Sequence, residues 1–256
     1  MSDEEREVSD KAWNRRSFLS FGALGLLGYG LYRTYHWVDT AADVDGAQGP
    51  LRSMLDLNER VNTTFKSDAH LAKEFPVEMA AKQVRANGYE GIGQPVDVAA
   101  WKLAVLAHGT TAAQEITLDR IKALPHTEIV FDFKCIEGWS QISHWGGVRL
   151  RDLAERFGLG TRNGDPNDRF RYMALSTPDN GYYVGIDMAS ALHPQTILAY
   201  EMNGLPLDSR HGAPLRLIIP TKYGVKNLKR IGTMAFSDER PPDYWHERGY
   251  DYDCAL

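Results

Sequence analysis

The chain has 256 residues, 43% of them hydrophobic and 25% charged, with a formal net charge of -5 and two cysteines. That length and balance supply one large core or two small ones and exclude a disordered chain. The acidic excess excludes general nucleic-acid binding, which neutralises many phosphates with Lys and Arg. Cys135 and Cys254 are too few for an iron-sulfur cluster or an all-cysteine zinc site, and no C-x-x-C-H haem attachment is present, so any further electron carrier lies on another protein.

After a charged start, "NRRSFLSFGALGLLGYGLY" places Arg15 and Arg16 ahead of an apolar, glycine-rich run from Phe18 to Tyr32. The R-R-x-F-L spacing of Arg15, Arg16, Phe18 and Leu19 resembles a twin-arginine export signal, the alternative being an ordinary signal anchor with two incidental arginines. Extended through Arg33 and His36 to Val38, the run reaches the roughly 20 residues that a bilayer span needs. Only a weak Thr40-Ala41-Ala42 cleavage site follows. Cleavage and retention both stay open, with an uncleaved anchor over residues 15–38 favoured and the two arginines on the cytoplasmic side. The expected division is residues 1–45 as signal or anchor with linker and residues 46–256 as one periplasmic or extracytoplasmic domain.

Within that domain "PLRSMLDLNERVNTTF" has helical spacing, and "VDVAAWKLAVLAHG" is an apolar segment ended by Gly109. "TLDRIKALPH" reads as a short helix with Thr117 as N-cap, and "TEIVFDFKC" alternates as a strand. "RLRDLAERFG" is an amphipathic helix closed by Gly158. "RFRYMALST", "QTILAYEMNG" and "PLRLIIP" are strand-like, separated by the turn signals "TPDNGY", "NGLPLDSRHGAP" and "TKYG". Helices and strands mix without a regular βαβ period, so the fold class is α+β.

Cys135 lies in "FDFKCIEGWSQISHW", at the end of the predicted strand. Taken alone, that window describes a buried structural cysteine, the commonest state of a free thiol. Lys134 beside it, a loop made flexible by Gly138, Gly146 and Gly147, and Trp139 and Trp145 as pocket walls also suit one thiolate presented at a cavity. A soft thiolate suits a transition metal, and a lone one needs its other ligands from a cofactor or from elsewhere. Far along the chain, "SRHGAPLRLIIPTKYGVKNLKRI" gathers Arg210, His211, Arg216, Lys222, Lys226, Lys229 and Arg230 among glycines, a positive site suited to a phosphate-like group. Cys254 reads as an exposed tail thiol, placed one residue too late for a prenylation box. A Cys135–Cys254 disulfide is the less expected arrangement.

The stretch "ALHPQTILAYEMNGLPLDSRHGAPLRLIIPTKYGVKNLKRI" resembles the molybdopterin-binding core of the sulfite oxidase family, where D-P-x-x-L-L-A-Y-x-M-N-G-x-P-L precedes H-G-x-P-x-R. The likeness runs from about Asn62 to the end and is close to the branch of the periplasmic methionine sulfoxide reductase catalytic subunit. It implies a sulfite oxidase-type fold in a single domain and a Mo-molybdopterin cofactor. Cys135 is implied as the thiolate ligand to molybdenum, and Tyr182 as an active-site tyrosine. Cofactor contacts are implied at Asn62, Phe65 and Lys66, which match an early N-x-x-aromatic-charged element, at Thr177, His211 and Arg216, and at Asn227, Leu228 and Lys229 around the cofactor phosphate. Trp139 shapes the approach.

The implied activity is oxygen-atom or two-electron transfer at a small, sulfur-containing substrate, with a membrane haem subunit or cytochrome as electron partner. Because molybdopterin is inserted in the cytoplasm, export of a folded protein agrees with the twin-arginine reading. No arginine lies between Arg120 and Arg149, where sulfite oxidases place one before the cysteine, and Asn62–Lys66 lacks the acidic residue of the reductase branch. The chain is also expected to lack the dimerisation domain of sulfite oxidases. Two other readings stay open: a Cys-His hydrolase in which His144 or His211 activates Cys135, and a membrane-tethered, non-catalytic subunit that retains the fold.

Overall fold

The β-branched and aromatic residues of "TEIVFDFK" form a strand, His126–Lys134, and the loop of residues 135–139 returns the chain antiparallel along Ser140–Arg149, with Lys134 opposite Ser140. This computed structural model describes residues 3–88, 90–106 and 113–256, with side chains from residue 18 onward. By its contacts the chain divides into Met1–Met54 and Leu55–Leu256.

In the larger unit, Ile197–Met202 pairs antiparallel with Ser140–Arg149 on one side and with Leu205–Pro206 and Arg216–Ile218 on the other, completing a first sheet of five strands. The second sheet has the order Ala113–Thr117, Lys102–Leu106, Thr233–Ser237, Tyr172–Ser176, Tyr183–Asp187, in which only the pairing of Thr233–Ser237 with Lys102–Leu106 is parallel. This mixture, without a βαβ repeat, is the expected α+β class.

Both faces of the first sheet are covered, so its strands read as continuous apolar runs rather than clean alternation. Leu198, Leu217 and Val148 join Leu103, Met173, Val184 and Met234 of the second sheet in the main core, whereas Ile197, Ala199 and Ile218 lie in a second cluster with Ile129, Phe131 and Trp145. Short helices cap this core. Thr117 caps Leu118–Lys122 by accepting the Arg120 amide, and Gly158, at φ 65°, ends Leu150–Phe157. Helix Gly49–Phe65 and the strands Tyr172–Ser176 and Ile197–Met202 also form where expected. Of "VDVAAWKLAVLAHG", Lys102–Leu106 is the strand, and Gly109 lies outside the described residues.

Two expectations are corrected. Gly146 and Gly147 are not loop residues. They sit within the strand Ser140–Arg149, at a bulge in its pairing with Ile197–Met202. A Cβ on Gly147 would stand 2.1 Å from the Leu198 carbonyl oxygen, so the glycine permits the close approach of two backbones. Cys254, expected as an exposed tail thiol, is buried, with Sγ 2.9 Å from the Asp251 carbonyl oxygen and its thiol pushed up to about 12 by burial. Both cysteines are free.

The tail is fixed by buried ion pairs. Lys226 meets Asp243 at 2.5 Å, Lys222 pairs with Asp253, and Lys66 meets Asp253 at 2.6 Å and Asp187 at 2.7 Å. Burial opposes ionisation of Asp187, but Lys222 and Lys66 outweigh it and hold the carboxyl well below the usual carboxylate range.

In Met1–Met54 the main element is the helix Asp3–Asp39, whose apolar side chains from Phe18 to Trp37 are exposed. The side chains of Arg15 and Arg16 lie outside the described residues. Among the described residues no helix is long and apolar enough to cross a membrane.

Gly147→Ala forces either the strand pair apart or the bulge to rearrange. It is expected to lower the stability of the folded chain by about 3 kcal/mol in chemical denaturation, and a change within about 0.5 kcal/mol contradicts the close-approach account.

Candidate active site

The hairpin loop of residues 135–139 presents Cys135. Its amide donates to the Trp139 carbonyl at 2.9 Å, the Gly138 amide returns a bond to the Cys135 carbonyl at 3.1 Å, and Gly138 takes φ 86°, which a side chain would resist. The thiol sits, buried, in a cavity of about 220 Å³. Phe133, Trp139, Trp145, Tyr182, Trp245 and Tyr250 wall this cavity, and Asn87, His211, Arg216 and Lys229 bring its polar groups.

Arg216 carries the strongest electrostatic demand. It is buried, its guanidinium donates to the carbonyls of His211 at 3.0 Å and Asn227 at 3.3 Å, and its carbon lies 4.5 Å over the Trp145 ring. Its Nε finds no partner among the described residues. Burial pulls its pKa from 12.5 to about 9. Lys229 donates to the carbonyls of Asn87, Gly88 and Arg210, the second at 3.0 Å and the third at 3.5 Å. Burial first and Arg216 second pull it from 10.5 to about 8, against smaller support from Glu90 and Asp208. A buried arginine and a half-buried lysine, both bonded to neutral carbonyls at one cavity, favour an anion beside them.

The expected basic cluster is therefore divided by folding. Lys222 and Lys226 are held by Asp253 and Asp243, and Arg230 donates to the carbonyls of Ala213, Ile92, Gln94 and Ser209. Arg210 is exposed beside Asp208 at 3.5 Å. His211 lines the cavity with both ring nitrogens facing oxygens, Nδ1 at 2.8 Å from Asp208 and Nε2 at 3.2 Å from the Val84 carbonyl.

Of the other expected site residues, Tyr182 reaches the cavity, and its hydroxyl donates to the Val225 carbonyl. Asn227 also lines it, although its amide is used within the chain, accepting from the Ile219 amide at 2.6 Å and donating to the Tyr223 carbonyl at 3.1 Å. Leu228 is fully buried in the main core, where it packs rather than faces the cavity. Thr177 is fully buried in the turn of residues 177–182, donating to Asp179 at 2.6 Å and accepting from the Tyr182 amide at 3.1 Å. Asn62, Phe65 and Lys66 are not brought to Cys135. They line a separate cavity of about 680 Å³ with His70, His193 and Lys222, and Lys66 is engaged by two carboxylates.

The residue that does approach the thiol is Asn87, whose Nδ2 lies 3.7 Å from Cys135 Sγ. Asn87 and then Trp139 also bond the Glu137 carboxylate and hold its pKa below the ordinary value. The signal was "NGYE", residues 87–90, an asparagine, an aromatic and an acid one position closer together than the element sought at Asn62. Tyr89 itself lies outside the described residues.

The family model described as "Oxidoreductase molybdopterin binding domain" matches residues 91–245. The chain belongs to this family, the molybdopterin oxidoreductases of sulfite oxidase type. It is 32% identical over 213 residues, 82% of this chain and 78% of the other, to the putative protein-methionine-sulfoxide reductase subunit YedZ1 of Azospira oryzae. It is 34% identical over 143 residues to the protein-methionine-sulfoxide reductase catalytic subunit MsrP of Xanthomonas campestris, covering 52% of this chain but 44% of that one. The chain thus spans less than half the length of this second relative. Among solved structures it is similar to the sulfane dehydrogenase SoxCD of Paracoccus pantotrophus, at 16% identity and a TM-score of 0.49, over 57% of this chain and 40% of that chain.

The residues present fit the family's cofactor. The orphaned Arg216 Nε and the destabilised Lys229 ammonium suit an anionic group, and a single thiol suits a metal whose remaining ligands come from that group. Among the described residues no cluster of three or more His, Cys, Asp or Glu is placed to hold a metal without it.

Lys229 yields a pH test on cofactor-free protein. Its folded pKa of about 8 lies below the ordinary 10.5, so the penalty for burying its charge is fully present below pH 8. As pH rises from about 8 to 10.5 the unfolded chain holds the proton that the folded chain has released, and stability rises. Lys229→Met is expected to abolish that rise and to raise stability near pH 7 by about 2 kcal/mol in denaturant titrations. An unchanged rise contradicts the assignment.

Proposed function

We propose that this chain is the catalytic part of a molybdenum-molybdopterin oxidoreductase that reduces an S-oxide, with methionine sulfoxide as the side chain acted on. The observation that carries this reading is Cys135, alone and buried at the end of an aromatic-walled cavity whose deep cations, Arg216 and Lys229, lack carboxylate partners. The names of the YedZ1 and MsrP relatives support the substrate.

Cys135 would supply the protein's ligand to the metal, Arg216 and Lys229 would neutralise the pterin phosphate, and His211, positioned by Asp208, lines the same cavity. When bound, the cofactor supplies a two-electron centre that exchanges an oxygen atom with substrate. The aromatic walls exclude water and pack the apolar arm of the substrate. Reduction of a sulfoxide to a sulfide and water takes two electrons and two protons. The electrons come from a separate haem or cytochrome partner, because two cysteines and no C-x-x-C-H leave this chain without a second carrier. The twin-arginine-like spacing of Arg15, Arg16, Phe18 and Leu19 supports a periplasmic enzyme.

A neutral S-oxide is favoured over sulfite by the charges at the mouth. Arg85 shares the cavity rim with Glu137 and Glu90, so a small anion meets two carboxylates beside one cation. The Cys-His hydrolase reading is corrected by family membership and by geometry: His144 faces Glu128 at 3.4 Å, His211 is engaged by Asp208, and the Cys135 thiol has Asn87 beside it. The non-catalytic subunit predicts that Cys135 is dispensable.

Molybdenum-loaded protein with a reduced dye as donor is expected to convert peptide methionine sulfoxide to methionine, and Cys135→Ser to lose about 100-fold or more of that rate. Turnover of sulfite without any sulfoxide reduction, or a Cys135→Ser variant as active as the parent, contradicts the proposal.

A further inference from the structure

Arg85 stands at the rim of the Cys135 cavity, exposed, with its guanidinium carbon 4.7 Å above the centre of the Trp139 ring. Trp139 is itself held. Phe133 stacks on it at 28° with ring centres 6.2 Å apart, and its indole N–H donates to Glu137 at 3.1 Å. The backbone at Arg85 is clamped to the returning strand, since the Arg85 amide donates to Gln141 Oε1 at 2.9 Å and Gln141 Nε2 donates to the Gln83 carbonyl at 3.1 Å. Among the described residues Arg85 forms no ion pair within 4.0 Å. Stacking occupies the flat face of a guanidinium and leaves its N–H edge, with donors in a fixed fork, open to acceptors in the plane.

Position gives that edge a use. Asn87, two residues on and so at most about 7.6 Å away from Cα to Cα, places its amide 3.7 Å from the Cys135 thiol. Arg85, Trp139 and Cys135 line the same cavity, so the guanidinium edge borders the space that a substrate enters, across an aromatic wall suited to a short apolar arm. The neighbouring carboxylate Glu137 disfavours a further anion in this place and leaves a neutral carbonyl oxygen as the fitting acceptor.

We propose that Arg85, seated on Trp139, is a specificity-determining residue that receives an acceptor oxygen carried a few bonds from the sulfinyl group. Within the substrate class already proposed, Arg85 would discriminate a peptide S-oxide from dialkyl sulfoxides, which carry no such acceptor. This assignment rests on the S-oxide reductase reading of the same cavity. The acceptor is the main-chain carbonyl of a peptide, and the carboxylate of a free amino acid is the alternative that the choice of substrate separates from it.

The test compares the molybdenum-loaded full chain with its Arg85→Gln and Arg85→Lys variants on three substrates. These are N-acetylmethionine sulfoxide methylamide, which offers carbonyls only, free methionine sulfoxide, which offers a carboxylate, and dimethyl sulfoxide. Arg85→Gln is expected to raise KM about tenfold for whichever acceptor-bearing substrate the site prefers, with kcat within about twofold, as befits one lost charge-assisted hydrogen bond. The preference for that substrate over dimethyl sulfoxide falls by the same factor, and Arg85→Lys recovers part of it. Calorimetric binding of the matching sulfone, which is not reduced, gives a readout independent of turnover, and its dissociation constant is expected to rise about tenfold in Arg85→Gln. An equal change on all three substrates, or an unchanged sulfone affinity, overturns the assignment of Arg85 alone. Failure of the loaded parent protein to reduce any of the three overturns the reductase reading and this inference with it.

Discussion

The buried Arg216 and the half-buried Lys229, which form no ion pair with a carboxylate among the described residues, are the constraint around which this site is arranged. An uncompensated buried charge costs several kcal/mol, and the chain places Arg216 and Lys229 in one cavity, bonds them to backbone carbonyls and leaves the Arg216 Nε without a partner among the described residues. Elsewhere it pairs its buried lysines carefully, Lys226 with Asp243 and Lys222 with Asp253. Arg230 is also buried and donates to carbonyls, but it lies outside this cavity; the shared cavity and the orphaned Arg216 Nε mark where an anion belongs. The folded protein without its cofactor bears a penalty that binding removes, so occupancy and stability are linked.

The first sheet brings the metal-binding thiol to these cations. Strands His126–Lys134 and Ser140–Arg149 form the hairpin whose loop holds Cys135, and Ile197–Met202, paired with the second of them, is flanked by Arg216–Ile218, which supplies Arg216. Gly147 lets the central pair approach closely enough for this, and Trp145 beside it packs beneath the Arg216 guanidinium. Cys135 and Arg216, 81 residues apart in sequence, are thus brought to one cavity by the strand pairings of this sheet.

Much of this was legible in the sequence. The alternation of "TEIVFDFK", the Thr117 cap and the Gly158 stop are local signals with local causes, and each element formed where they indicated. The hairpin cysteine and the paired apolar walls of Trp139 and Trp145 were also readable, because they lie within one window. The basic segment was over-read: sequence shows that seven potential cations cluster, but their carboxylate partners at Asp243 and Asp253 lie in the tail and become neighbours only on folding. Gly146 and Gly147 looked like a loop because glycine in a strand is explained by the partner backbone, which no local window contains. Asn87 was missed in favour of Asn62 because residues 84–88 form no helix or strand and carry no periodicity to anchor a spacing.

The central claim is that the Cys135 cavity is built to hold molybdenum through an anionic pterin. Its most direct measurement is the metal and phosphate-bearing pterin content of the full chain, purified folded from a host that makes molybdopterin. The account predicts about one molybdenum and one pterin per chain, both lost together when Arg216 and Lys229 are replaced by uncharged residues. Folded protein from such a host that contains neither contradicts it.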